Sequence, residues 1–141
     1  KLAMKNILKT CIVDDDSIYQ FTMVKTLEST KLPLEIMVFS DGEEAIDFML
    51  DNLDQDSVFP DVIFLDIDMP VMDGFQFMEE YVKIKPRVGK KITIYMVSSS
   101  LDPVDIERAK RISAISDYIV KPIGLGRLKT IIESLLAERK E

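Results

Sequence analysis

The chain has no histidine, which removes the Ser-His-Asp triad, His-ligated zinc and any imidazole base. Its chemistry must fall to carboxylates, hydroxyls, lysine or a hard cation. There is one cysteine, Cys11, inside an apolar run, so no disulfide can close within the chain, and a small buried thiol in a reducing cytoplasm is the natural reading. No apolar run approaches the roughly 20 residues of a membrane span, and the segment from Lys1 to Asn6 lacks the greasy stretch of a signal peptide. Positive charge is in deficit, with 18 Lys and Arg against 25 Asp and Glu, a net charge of −7 and a pI near 4.7. Unaided binding to nucleic acid or to an anionic membrane is therefore disfavoured, although a local basic patch remains open. Linkers, low-complexity tracts and repeats of solenoid length are missing as well.

What is present is a length of 141 residues with 47% apolar content, enough for one domain with a proper core. Met4 reads as the natural first residue, so the expected domain is 4–141 and Lys1 to Ala3 an added remnant. The segment from Val62 to Gly74 organises the rest. Its apolar residues, Val62 to Leu65, show no polar alternation and read as a strand buried on both faces. The strand stops at Asp66, because Pro70 cannot join a central ladder and Asp73-Gly74 is a turn pair. Alone, Asp66 reads as a turn-capping acid.

Four further segments repeat the pattern. Ile7 to Val13 is a strand ending in Asp14-Asp15-Asp16, with Ser17 starting a helix that turns Ile18, Phe21, Val24 and Leu27 inward. After Pro33 comes a strand over 34–39, then a capping-box spacing from Asp41 to Glu44 before Ala45, Phe48, Met49 and Leu53. The acidic stretch 51–60 reads as a helix end and surface loop. A third helix carries Phe75, Met78 and Val82 and ends before Pro86; the basic stretch 81–91 reads as a solvated helix end rather than a docking patch. Ile92 to Val97 is a strand ending in Ser98-Ser99-Ser100, and Asp102-Pro103 starts a helix reaching about Ile112. Tyr118 to Val120 is a short strand ending in Lys121-Pro122, followed by a helical stripe of Leu128, Ile131, Ile132 and Leu135. Five such units predict an α/β fold with a parallel sheet covered on both faces through right-handed crossovers.

Parallel strands share one carboxyl edge, the edge at which ligands bind in such folds. Asp14, Asp15 and Asp16, Asp66, Ser98 and Lys121 should all gather there. Two carboxylates about 4 Å apart repel by roughly 4 kcal/mol at an effective dielectric near 20, so such a group either stays partly protonated or holds a cation. Oxygen ligands without His or thiolate select a hard ion, and Mg²⁺ suits a site completed by water and phosphate. With Lys121 as a second cation, Asp66 is disposed to accept a phosphoryl group.

The acid pair Asp14-Asp15, the segment Asp66-x-x-Met-Pro-x-Met-Asp-Gly, the hydroxyl of Ser98 and the Tyr118-x-x-Lys121-Pro122 motif occur in that order. Over nearly its whole length the chain resembles a receiver domain of two-component response regulators. The resemblance implies a flavodoxin-like doubly wound sheet of five parallel strands in the order 2-1-3-4-5. It also implies Asp66 as phosphoacceptor, Asp15 as a direct Mg²⁺ ligand, Asp14 as a ligand through water and the backbone carbonyl of Asp68 as a further contact. Lys121 would bind the phosphoryl group, Ser98 would follow it inward, and Tyr118 would swing from exposed to buried. The Lys121-Pro122 bond is expected to be cis, and Asp16 falls outside the metal set. Ser98 stands where Thr is commoner in the family, but it keeps the hydroxyl; Asp68 and Ser100 occupy positions that tune hydrolysis.

With no histidine in the chain, the donor would be a phosphohistidine on a sensor histidine kinase or histidine phosphotransfer protein. Output would run through an unidentified protein at the face built from the fourth helix, fifth strand and fifth helix, since the chain ends at Glu141 unless it is cut from a longer one. A phosphorylation-dependent dimer is left open by the sequence. Two rival readings stand beside this one. Asp66-Ile-Asp68 after an apolar strand also fits a haloacid-dehalogenase-type phosphatase, although there the nucleophile strand comes first. A binding module that keeps the fold without phosphorylation is the other.

Overall fold

A computed structural model describes residues 6–139; the expectations placed on Lys1 to Ala3, Met4 and Glu141 lie outside them. The elements run β1 (Leu8–Val13), α1 (Ser17–Ser29), β2 (Leu34–Phe39), α2 (Gly42–Asp51), β3 (Val62–Leu65), α3 (Gly74–Ile84), β4 (Thr93–Ser98), α4 (Pro103–Lys110), β5 (Ile115–Val120) and α5 (Leu125–Arg139). The five strands form one sheet in the order β2-β1-β3-β4-β5, and every pairing is parallel. This is the expected flavodoxin-like architecture.

The two faces of the sheet follow from strand alternation. Leu8 and Ile12 of β1 and Val62 and Phe64 of β3 point to one side, where they pack with Met23 and Leu27 of α1 and Leu128, Ile132 and Leu135 of α5. Cys11, Val13, Ile63 and Leu65 point to the other, against Ala45, Ile46 and Met49 of α2 and Phe77, Met78 and Tyr81 of α3. Because β3 is covered on both faces, all four of its residues are buried. Its end is thereby fixed at the centre of the carboxyl edge.

The starts of α1 to α4 are set by acids. Helix α1 starts at Ser17, as expected, and Asp16 before it is the cap, accepting from the N–H groups of Ile18 and Tyr19. Asp41 caps α2 through Glu44 N–H, while the Glu44 carboxylate reaches back to Ser40 N–H at 2.7 Å. Asp73 and Gln76 form a reciprocal capping box on α3, and Asp102 caps α4 with Pro103 behind it. Each supplies an acceptor to otherwise orphaned first-turn donors.

Several expectations are corrected. Ile18 and Phe21 are 77% and 63% exposed, and the buried residues of α1 are Met23 and Leu27. Spacings of three drift around a helix of 3.6 residues per turn, so that Ile18 and Leu27, at about 100° per residue, end on opposite sides. Val82 is likewise exposed, its place inside taken by Tyr81, which stacks on Phe77 with ring centroids 6.1 Å apart. Strand β5 begins at Ile115, not Tyr118, and α4 ends at Lys110, not Ile112. Strand β1 starts at Leu8, one residue late, and β4 is shifted one residue forward.

The loops at 51–60 and 85–91 contain short 3-10 turns at Asp56–Val58 and Lys85–Arg87, and Asp56 ties them together by accepting from Gly89 N–H at 3.1 Å. Most of the basic stretch is paired: Lys83 with Glu80, Lys90 with Asp61 and Lys91 with Glu138. No helix among the described residues is long and apolar enough to cross a membrane.

Candidate functional site

Backbone hydrogen bonds bring the strand ends to a common level before any side chain is considered. Asp66 N–H donates to Val13 C=O at 2.9 Å, and Lys121 N–H donates to Ser98 C=O at 2.9 Å. Asp14, Asp66, Ser98 and Lys121 therefore emerge side by side. One carboxylate oxygen from each of Asp14, Asp15 and Asp66 lies within 4.8 Å of the others. Asp14 and Asp66 are buried and Asp15 is exposed, which makes an acidic pocket closed below and open above.

Lys121 completes the pocket. Its Nζ sits 2.7 Å from Asp14 Oδ2 and 3.5 Å from Asp66 Oδ1. Burial works against the ammonium, but its hydrogen bond to Asp14 and the charges of Asp66 and Asp14 outweigh that, so its pKa lies above the ordinary lysine value. At Asp66 the surroundings favour the neutral form instead: burial and then the charge of Asp14 raise its pKa to about 6, against the opposing pull of Lys121 and of Ile67 N–H. One lysine does not offset this many acids, so an oxygen-only, partly dehydrated set of carboxylates fits a small hard cation. Asp14, Asp15 and Asp66 are the side chains able to hold it.

The remaining residues take distinct places. Asp16 is spent on capping α1 and stands outside the acidic cluster. The carboxylate of Asp68 is also outside the cluster and exposed, though near enough to add to the rise at Asp66. Ser98 is fully buried, and its Oγ accepts from Ser100 N–H at 3.1 Å. Tyr118 is half-buried, with its hydroxyl donating to the Ser100 carbonyl at 2.8 Å. The Lys121-Pro122 peptide is cis, as expected. Tyr19 escaped sequence reasoning altogether: its ring lies under Lys121, with Nζ 4.1 Å from the centroid.

The loop leaving Asp66 holds one strained residue. Val71 has φ 68°, a left-handed conformation that costs a β-branched residue roughly 1–2 kcal/mol, and its side chain is 72% exposed. Val71→Asn should therefore stabilise the protein by about 1 kcal/mol, read as a higher urea midpoint at unchanged m-value.

The family model for the response regulator receiver domain matches residues 10–133. The chain belongs to this family. A protein-glutamate methylesterase/protein-glutamine glutaminase of Methanococcoides burtonii is 32% identical over 93% of the receiver domain, which spans 34% of that relative. A sensor histidine kinase of Helicobacter pylori is 31% identical over 86% of the domain, which spans 14% of it. Among solved structures, a two-component response regulator from Cytophaga hutchinsonii superposes with TM-score 0.80 at 25% identity, covering 92% of this receiver and 96% of that one. A response regulator receiver protein from Dyadobacter fermentans gives TM-score 0.76 at 31% identity, with 92% and 97% covered. The receiver domain described here is thus a two-component signalling module whose acidic pocket suits phosphorylation and Mg²⁺.

Proposed function

We propose that this receiver is a phosphoacceptor switch in which Asp66 takes a phosphoryl group from a phosphohistidine on a partner kinase or phosphotransfer protein. The observation that carries the reading is the pairing of Asp66 with Asp14 and Asp15 on one side and with the Lys121 ammonium at 3.5 Å on the other. A carboxylate oxygen of Asp66 attacks phosphorus and the bond from phosphorus to the imidazole nitrogen breaks; with the donor's other ring nitrogen protonated, the electron pair of that bond stays on the departing nitrogen, and an acyl phosphate and a neutral donor histidine result. Lys121 pairs with a phosphoryl oxygen and stabilises charge that grows in the transfer. Asp14, Asp15 and Asp66, with the Asp68 carbonyl, would hold Mg²⁺, which when bound offsets charge on the remaining phosphoryl oxygens.

The acyl phosphate adds charge and strong acceptors to a buried edge. Ser98 turns to donate its hydroxyl to a phosphoryl oxygen and so gives up the bond that its Oγ accepts from Ser100 N–H, which loosens the loop whose Ser100 carbonyl holds Tyr118. The output face would be the surface of α4, β5 and α5, where a cleft of about 340 Å³ is lined by Ile106, Ala109, Tyr118 and Val120. Docking of the donor is supported by exposed apolar side chains on the same edge: Ile18 and Phe21 on α1, and Val71, Leu101 and Leu125 after β3, β4 and β5. A free, buried Cys11 suits a cytoplasmic setting.

The test is incubation with acetyl phosphate and Mg²⁺, followed by intact mass measurement and mapping. One alkali-labile phosphoryl group on Asp66 is expected. A modified residue elsewhere, or turnover of a phosphate ester without a lasting adduct, would overturn the assignment.

A further inference from the structure

We propose that Tyr19 is a positioning residue for Lys121, its ring face keeping the ammonium beside Asp66 while the carboxylates that hold it at rest are drawn to other partners. The proposal rests on the reading of Lys121 as the phosphoryl-binding residue. Three contacts fix the lysine in the structure: Asp14 at 2.7 Å, Asp66 at 3.5 Å and the centroid of the Tyr19 ring at 4.1 Å. The first two are claimed by phosphorylation itself. Asp66 gives up a carboxylate oxygen to the phosphoryl group, and Asp14 belongs to the set that would hold the metal. The third contact competes with neither, because a ring face attracts a cation but offers no lone pair to Mg²⁺ and no donor to phosphate. Without it, a four-carbon stem carrying a strongly hydrated charge is free to swing out of the open pocket.

The ring is itself held in place. Tyr19 lies in the first turns of α1, whose start Asp16 caps by accepting from Ile18 and Tyr19 N–H. Its side chain packs against the apolar cluster that contains Met23 and Ile123, and its hydroxyl lies 3.9 Å from Met23 Sδ. Lys121 and Ile123 flank the cis-bonded Pro122, so the ring contact with Lys121 and the shared cluster with Ile123 join α1 to the turn that carries the lysine. Position and orientation are both specified, as a positioning role requires.

The test compares Tyr19→Phe, which keeps the ring face, with Tyr19→Leu, which keeps comparable apolar bulk without it. The first readout is the NMR signal of the Lys121 ε-methylene protons. It should be shifted upfield by the ring in the wild type and in Tyr19→Phe, and should return to the ordinary lysine position in Tyr19→Leu. The second is the affinity for beryllofluoride, a phosphoryl mimic, in saturating Mg²⁺. Tyr19→Leu should bind it about 5-fold more weakly and Tyr19→Phe within about 2-fold of wild type, with Mg²⁺ affinity alone not weakened in either. A general packing defect would not separate these two ligands. Wild-type beryllofluoride affinity in Tyr19→Leu, or an equal loss in Tyr19→Phe, overturns the proposal. So does an unshifted ε-methylene signal in the wild type, which needs no variant to fold. Failure of the wild type to bind beryllofluoride at all overturns the phosphoacceptor reading and with it the role given to Tyr19, while the methylene shift then still reports whether the two side chains meet.

Discussion

Asp66→Asn should lower phosphoryl uptake from acetyl phosphate by at least about 1000-fold, and should make the metal-free protein more stable at neutral pH, not less. The loss follows from chemistry: a carboxamide oxygen is a poor nucleophile, and no other described carboxylate stands at once in the acidic cluster and at the end of the central strand. The gain follows from electrostatics. Burial and the Asp14 charge raise the Asp66 pKa to about 6, so the ionised form opposes folding, and a shift of this size corresponds to about 1–3 kcal/mol. Lys121 loses one partner in the variant but keeps Asp14 at 2.7 Å. The sign of the pH dependence is set by a folded pKa above the unfolded one. The wild type is not penalised below the ordinary carboxylate range; the penalty grows as pH rises from about 4 and is complete once it passes about 6. Urea titrations with a chelator present should therefore show the Asn variant ahead at pH 8 and level with wild type at about pH 3. Undiminished labelling of the variant would remove Asp66 as acceptor, and a destabilised variant at pH 8 would remove the account of the pocket as a repulsive one.

How much of this was legible beforehand depended on the kind of signal. The strand tips were readable because a fully buried parallel strand such as Val62–Leu65 is a plain apolar run, and a polar residue that ends it must lie at the sheet edge. Parallel order then brought Asp14, Asp66, Ser98 and Lys121 together without reference to any contact. Strand β5 was half hidden because it is an edge strand: Ser116 and Asp117 face solvent, so its first half carries no apolar pattern. Helix α1 misled because an exposed Ile18 and Phe21 at spacing three imitate an inward stripe, while the real one runs through Met23 and Leu27 at spacing four. Tyr19 lies on that spacing-four line, and an aromatic four residues before a buried methionine, just after an acidic run, was the available clue. Asp61 gave none. It meets Lys90 at 3.1 Å and accepts from Lys9 N–H at 2.8 Å, pairings between distant segments that only the assembled sheet defines.

Gly74→Ala should damage both stability and phosphorylation through a single atom. A Cβ on Gly74 would lie 2.3 Å from the Asp66 carbonyl oxygen and 3.0 Å from Ile67 Cα, distances that backbone atoms on both sides must open to relieve. Neither side is free to yield. Gly74 N–H donates to Ile67 C=O at 2.8 Å as α3 begins, with Asp73 and Gln76 closing the capping box around it, and Asp66 N–H is bonded into the sheet at Val13. Forcing an extra methyl into a contact of this kind costs roughly 1–3 kcal/mol. Because the displaced atoms belong to Asp66, the proposed phosphoacceptor, a shift near 1 Å can slow transfer by about 100-fold. Gly126→Ala is the matched control: a Cβ there meets nothing within 4 Å, and replacing glycine in α5 should raise stability by up to about 1 kcal/mol with phosphorylation unchanged. The comparison separates the loss of a flexible residue, which both variants share, from the close approach of helix α3 to the Asp66 backbone, which only one of them breaks. Equal behaviour of the two variants would mean that the start of α3 does not hold the Asp66 strand end in place.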